Sequence, residues 1–281
     1  MSVRAPSSRC ARIDFVGGGL ALWFGLAVLF LFAPIFAAIV YAFNTGIVNK
    51  QTATWTGFTL AWFPAAWNDL SLRRAVVGSL IVASWSALIS VIVGSALGYA
   101  IVRHPSENVR RLLAALTYIL LIVPESVIGV SLLLFYAVTR IPLSTATLVA
   151  GITPTVIAVV ALIVRARVLT LDRRVEEAAA DLGSTKSKTL WFIVLPQLLP
   201  AVAAGGVMAY TFSFDNLVVS AFLTTPQINT LPVYLYGSLQ YGPSPAVYAA
   251  AAVVFLFTML MLGIAALLFR AVRRQRPSMI V

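Results

Sequence analysis

Six stretches of this chain are each long and apolar enough to cross a bilayer: about 16–43, 75–102, 112–137, 144–165, 197–223 and 246–270. A hydrocarbon core about 30 Å thick takes roughly 20 helical residues to span. Lipid offers no partner to an open backbone N–H or C=O, so such runs must fold as helices. The residues outside these stretches are split among short tails and connections, none long enough for a domain of its own. Only 10% of residues are charged and mean hydropathy is +0.96, against about 25% charged in soluble domains. The expectation is an all-α polytopic membrane protein with six transmembrane helices and no separate soluble domain. Pro142, Pro154 and several threonines interrupt the fourth stretch. The first is too long for a signal-peptide core and lacks a cleavage site, so it reads as a retained anchor. Cys10, the single cysteine, precedes it and has no partner for an internal disulfide.

The net charge of +11 would suit nucleic acid if it formed one face. Instead the cations cluster in short groups beside apolar runs, as membrane topology requires. With the N-terminus inside, only Lys50, Arg73, Arg74 and Arg140 fall outside, which leaves 16 of the 20 basic residues on the inner side. Both termini are therefore expected in the cytoplasm. The organisation that follows is an inner tail at 1–15, an anchor at 16–43, an external loop at 44–74, a core at 75–270 and an inner tail at 271–281. Trp55, Phe58, Trp62, Phe63 and Trp67 crowd the external loop. They suit headgroup anchoring by a short interfacial helix near 60–70, or a docking surface for an external partner.

One polar segment interrupts the apolar core, at 172–195. Leu171, Val175, Ala178 and Leu182 fall at spacings of four, three and four and share one helical face. Arg173, Arg174, Glu176 and Glu177 lie largely elsewhere, with Glu177 in reach of Arg173 at i+4 and of Arg174 at i+3. Asp172 suits an N-cap and Gly183 a left-handed stop. Ser184 or Thr185 can then cap a second short helix through Trp191 to Leu195, and Pro196 suits the first turn of the next span. These features predict a rigid elbow on the cytoplasmic side. Composition alone leaves it open whether the elbow is an amphipathic connector or a surface that another protein grips.

The pattern Glu177-Ala178-Ala179, three residues, Gly183, nine residues, Ile193, one residue, Leu195-Pro196 resembles the signature of permease subunits of bacterial ABC importers of type I. In that family the elbow is the coupling helix, which docks on a cytoplasmic ATPase. The resemblance implies that Glu177, Ala178, Ala179, Asp181, Gly183, Ser184, Ile193, Leu195 and Pro196 serve this coupling. It implies a second homologous permease, two ATPase subunits that bind ATP and Mg, and an external or periplasmic solute-binding protein. No nucleic acid enters, and this chain itself needs no cofactor or metal. Gly57–Phe63, Arg165-Ala166-Arg167, Pro200–Gly205, Phe212–Phe222 and Thr230–Tyr234 look like the spermidine/putrescine branch, closest to its second permease. The resemblance covers about 55–270. It implies import of a polyamine, with opines, phosphonates, thiamine or ferric iron as the other solutes of related permeases.

Glu125 and Asp215 are the only acids within the expected spans. A charged carboxylate deep in a bilayer costs on the order of 3 kcal/mol, so it faces a cavity, a partner or a pathway. Continuous helices would carry Glu125 about 20 Å past Arg111 and Asp215 about 28 Å past Pro196, both into the outer half. Carboxylates and aromatic faces attract ammonium groups. Glu125, Asp215 and Asn216, with Tyr136, Tyr210, Phe212 and Phe214 as aromatic neighbours, are candidates for a cation path. The alternative is that each acid pairs with a polar group at a subunit interface or stays protonated. Similar permeases often carry two consecutive acids where this chain has Asp215-Asn216.

No constellation for chemistry accompanies these residues. Gly183-Ser184-Thr185-Lys186-Ser187 lacks the spacing of a phosphate loop. His104, beside Arg103, is expected to be a solvated loop residue. ATP hydrolysis is expected in another polypeptide, so the chain itself is not an enzyme. A proton-coupled secondary transporter using Glu125 and Asp215 is the competing class. Such proteins carry inverted repeats, and none is visible here.

Overall fold

Small residues decide how the long helices approach one another. In a computed structural model of the chain, residues 15–46, 54–240, 245–256 and 259 are described. They divide between two compact units, Met1–Ala66 with Gly242–Val281, and Trp67–Tyr241.

In the first unit, α1 (Phe15–Tyr41) leads into a loop built on Asn44. The Asn44 side chain is fully buried. Its Oδ1 accepts from the N–H and hydroxyl of Thr56 at 2.8 and 2.9 Å, and its Nδ2 donates to the Thr54 carbonyl at 3.1 Å. Phe43 stacks on Phe58 with ring centroids 5.5 Å apart. The short helix expected near 60–70 is α2 (Trp62–Asn68), and the Trp62 indole donates to the Asn44 carbonyl at 3.0 Å.

In the second unit, α3 (Leu70–Arg103), α6 (Thr145–Leu169) and α9 (Leu195–Phe214) pack along one another. A methyl group on Gly98 would lie 2.5 Å from the Ala161 carbonyl oxygen, and one on Gly94 would lie 2.8 Å from the Ile157 carbonyl oxygen. Two glycines four apart thus let α3 and α6 touch backbone to backbone, which suits helix association in lipid. Where the helices meet, hydroxyls bond across them. Ser213 donates to Ser86 Oγ at 2.9 Å, and Thr153 Oγ1 contacts Ser86 Oγ at 3.2 Å. Val160, Val164, Val168, Val194 and Leu198 fill the centre.

The spans differ from expectation in four respects. The second begins at Leu70, because Asp69 Oδ1 caps α3 by accepting from the N–H groups of Ser71 and Leu72. The third, expected as one helix over 112–137, is two: α4 (Glu107–Ile122) and α5 (Glu125–Thr139), bent by 93°. Pro124 has no N–H to continue the ladder and disfavours a helical Val123 before it. The fourth runs unbroken through Pro154, started by a reciprocal capping box between Ser144 and Thr147. The fifth, expected over 197–223, ends at Phe214 and resumes as α10 (Val218–Leu223). Four described helices are long and apolar enough to cross a membrane, five if the bent pair counts as one span. The sixth stretch, 246–270, lies largely outside the described residues, which show helix over Pro245–Leu256.

Candidate functional site

The elbow is α7 (Arg173–Asp181), a glycine turn, one turn of α8 (Lys186–Thr189) and then α9. Asp172 Oδ1 accepts from the Arg174 N–H at 2.9 Å, which satisfies one of the open donors of the first turn. At the far end Gly183 has φ +81°. The Gly183 N–H donates to the Ala180 carbonyl and the Ser184 N–H to the Ala179 carbonyl, both at 2.9 Å. This is the paired closure of a left-handed helix stop. Thr185 then caps α8, accepting from the Lys188 N–H at 3.4 Å.

No break separates α8 from the span. Leu190–Val194 form a π turn, with the Leu195 N–H reaching the Leu190 carbonyl. A proline ring in a regular helix collides with the carbonyl four residues back. The widened turn makes room for Pro196, and the Gln197 side chain donates to the Ile193 carbonyl at 2.9 Å. Ile193 and Leu195 are half-buried, Val194 is fully buried and Pro196 is exposed.

Of the predicted apolar face, Leu171 packs against the core, whereas Val175, Ala178 and Leu182 point away from the rest of this chain. Val175 is 46% and Leu182 90% exposed, and Ala178 is also exposed. The inward face is Glu176 and Ala179 instead. Glu176 pairs with Arg103, the last residue of α3, at 2.9 Å, with side chains 20% and 13% exposed. Arg103 also donates to the Leu171 carbonyl at 3.1 Å. Sequence reasoning placed Glu176 off the apolar face and assigned it no partner. Glu177 pairs with Arg173 at 3.2 Å between two exposed side chains, a contact worth a few tenths of a kcal/mol. Asp181 and Glu177 face solvent.

The acids of the membrane core come together elsewhere. Glu125 opens α5 after the bend, and Asp215 and Asn216 form the link between α9 and α10. The bend moves Glu125 off the straight path from Arg111, since that helix stops at Ile122. Asn216 Nδ2 donates to Glu125 Oε2 at 3.1 Å, while Asn216 Oδ1 accepts from the N–H groups of Val219 and Ser220 at 3.2 and 3.4 Å. One amide thus caps α10 and holds Glu125. Glu125, Asp215, Asn216, Thr211 and Phe212 line an open cavity of about 350 Å³. Tyr210 stacks on Phe214 at 6.2 Å, and neither lines that cavity. Tyr136 lies in the core, buried, its hydroxyl 3.4 Å from the Thr147 carbonyl. Helical periodicity cannot tell a core-facing tyrosine from a cavity-facing one in a span that is apolar all round.

Residues 90–274 match the family described as Binding-protein-dependent transport system inner membrane component. Over 232 residues the chain is 32% identical to the spermidine/putrescine transport system permease protein PotC of Escherichia coli (strain K12), covering 83% of this chain and 86% of that protein. Over 235 residues it is 31% identical to the putrescine transport system permease protein PotI of the same organism, covering 82% and 83%. Among solved structures, one chain of a bacterial ABC transporter involved in the import of the acidic polysaccharide alginate matches with a TM-score of 0.67. That match covers 99% of this chain and 100% of the other at 15% identity, a likeness of fold.

Proposed function

We propose, from the premise that this chain belongs to the Binding-protein-dependent transport system inner membrane component family, that the solute it moves is a polyamine such as spermidine or putrescine. The chain is a multi-pass membrane permease subunit of an ABC importer, with the type I permease fold, and is not itself the ATPase. In the proposed assembly it lies in the bacterial inner membrane with both termini cytoplasmic. It pairs with a second, homologous permease, two ATPase subunits that bind ATP and Mg, and an external or periplasmic solute-binding protein. The elbow docks on one ATPase through Val175, Ala178 and Leu182. Nucleotide-driven movement there opens the pathway alternately to each side.

The observation that carries the cation reading is the open cavity lined by both Glu125 and Asp215. An ammonium group entering it meets carboxylates and the ring of Phe212, which attract cations. Asn216 adds no second negative charge beside Asp215 but orients Glu125 through its amide. The names of the curated relatives support the same class of solute.

The test is ATP-driven uptake by the complex in proteoliposomes, with labelled spermidine and putrescine set against an opine, a phosphonate, thiamine and ferric iron. Asp215→Asn and Glu125→Gln each remove a charge-assisted contact worth about 1.5–3 kcal/mol, so polyamine uptake at subsaturating solute falls by roughly 10- to 100-fold. Unchanged uptake in both variants, with the complex assembled, rules out the cation path.

A further inference from the structure

Arg103 ends the 34-residue helix α3, and its guanidinium links that helix to the elbow. One nitrogen, Nη2, holds two points of it: the Leu171 carbonyl at 3.1 Å, just before α7 begins, and Glu176 Oε1 at 2.9 Å, within the first turn. Both side chains are largely withdrawn from water. The backbone of α7 runs close to α8 and to no other helix to a comparable extent. By the chain itself α7 connects only to α6, through Thr170–Asp172, and to α9, through the Gly183 turn and α8. α3, which packs along both α6 and α9, is reached from the elbow across this ion pair.

A buried ion pair adds little net stability over apolar packing of the same volume. What it supplies is a close charge–charge contact, since no hydrogen bond from the described residues reaches Glu176 Oε1, and removing one partner leaves the other charge stranded. Glu176 and Ala179, three residues apart, form the inward side of α7, while Leu182 and Val175 face outward. A load applied to the outward side therefore passes through α7 onto Arg103. The Gly183 turn is a second route, held by its own backbone hydrogen bonds, with open space where a side chain at Gly183 would lie.

We infer that Arg103 and Glu176 are positioning residues for transport, an ionic latch that carries displacement of the elbow into α3 as well as into the covalently attached helices. The inference rests on the reading of the elbow as the ATPase dock. With the latch intact, α3 moves with the elbow. With it broken, the ATPase still docks and hydrolyses ATP, but hydrolysis and transport separate.

The experiment uses the full importer in proteoliposomes and reads uptake of labelled spermidine per ATP hydrolysed, together with hydrogen exchange in the resting and vanadate-trapped states. In the wild-type complex, ATPase protection over 172–195 reports docking, and trapping is expected to change exchange at both the elbow and the inner end of α3. Glu176→Gln and Arg103→Gln are expected to keep that footprint and lower uptake per ATP by about tenfold, near the low end of couplings between sites. Arg103→Lys, which keeps the charge, is expected to retain most of the ratio. An unchanged ratio in both Gln variants with the footprint present overturns the latch and leaves the docking reading intact. A trapped wild-type complex whose elbow responds while the inner end of α3 does not overturns it without any variant. Absence of the footprint in wild type removes the premise, and the latch with it.

Discussion

Gly98→Ala tests the closest approach in the core. The added methyl would sit 2.5 Å from the Ala161 carbonyl oxygen and 3.0 Å from both the Arg165 nitrogen and Val164 Cβ. Ordinary contact begins at 3.4 Å, so α3 and α6 must part by 3.4 − 2.5 = 0.9 Å at this point. Two of the three obstructing atoms belong to the backbone and cannot rotate aside. Overpacking of this kind costs about 1–3 kcal/mol, and a fixed obstacle puts it at about 2–3. Replacing a helical glycine by alanine returns about 1 kcal/mol through propensity. The net is a loss of about 1–2 kcal/mol. The matched control is Gly25→Ala in α1, where nothing lies within 4 Å of the new methyl and only the propensity gain of about 1 kcal/mol remains. Equilibrium unfolding of the purified protein in mixed micelles, followed by tryptophan fluorescence, compares the two. If Gly98→Ala matches or exceeds the stability of Gly25→Ala, the backbone-contact account of the α3–α6 interface is refuted.

Leu182→Glu changes a side chain that is 90% exposed, so it should shift stability by no more than about 0.5 kcal/mol while abolishing co-purification of the ATPase. Retained co-purification counts against the outward face as the dock. Gly183→Ala forces a side chain onto φ +81° with open space around it, costing about 1–2 kcal/mol of pure backbone strain. Faster hydrogen exchange confined to 173–189 is the expected sign, and Gly183→Asn should be milder. Tyr234, in α11 (Leu231–Gln240), donates to Asp69 Oδ2 at 2.9 Å. Burial and then this bond to Asp69 push its phenol from 10.0 up to about 12. A raised phenol means the neutral form favours the fold. The contribution is whole below about pH 10 and is lost as pH rises toward about 12. Tyr234→Phe should remove that slope from an alkaline unfolding series.

Local interactions made the elbow readable. Asp172, Gly183 and Thr185 act on backbone groups within three residues of themselves, so their effects are written in the order of the residues. The face shared by Leu171, Val175, Ala178 and Leu182 was readable for the same reason, although which way it points was not. The Gly94-to-Gly98 spacing is a small-residue pattern that the reading of the sequence passed over, and its close helix contact came from the structure. Pro124 and Pro196 carry the same chemical defect, yet one ends a helix and the other is absorbed by a π turn. Pro154 breaks nothing. What surrounds each proline decides the outcome, since neighbouring helices determine whether a distorted turn is held or abandoned.

The sequence by itself determined that this chain lives in lipid, that its apolar runs must be helical, and that a capped, glycine-stopped elbow interrupts them. Each follows from forces acting within a turn or two of helix, or from the absence of water around a backbone. The tertiary structure decided which charges meet. Arg103 found Glu176 rather than solvent, Asn216 found Glu125, and Tyr136 went to the core instead of the cavity. Those pairings depend on how closely distant helices approach, and that distance is set by glycines and hydroxyls on facing surfaces whose register no local pattern encodes.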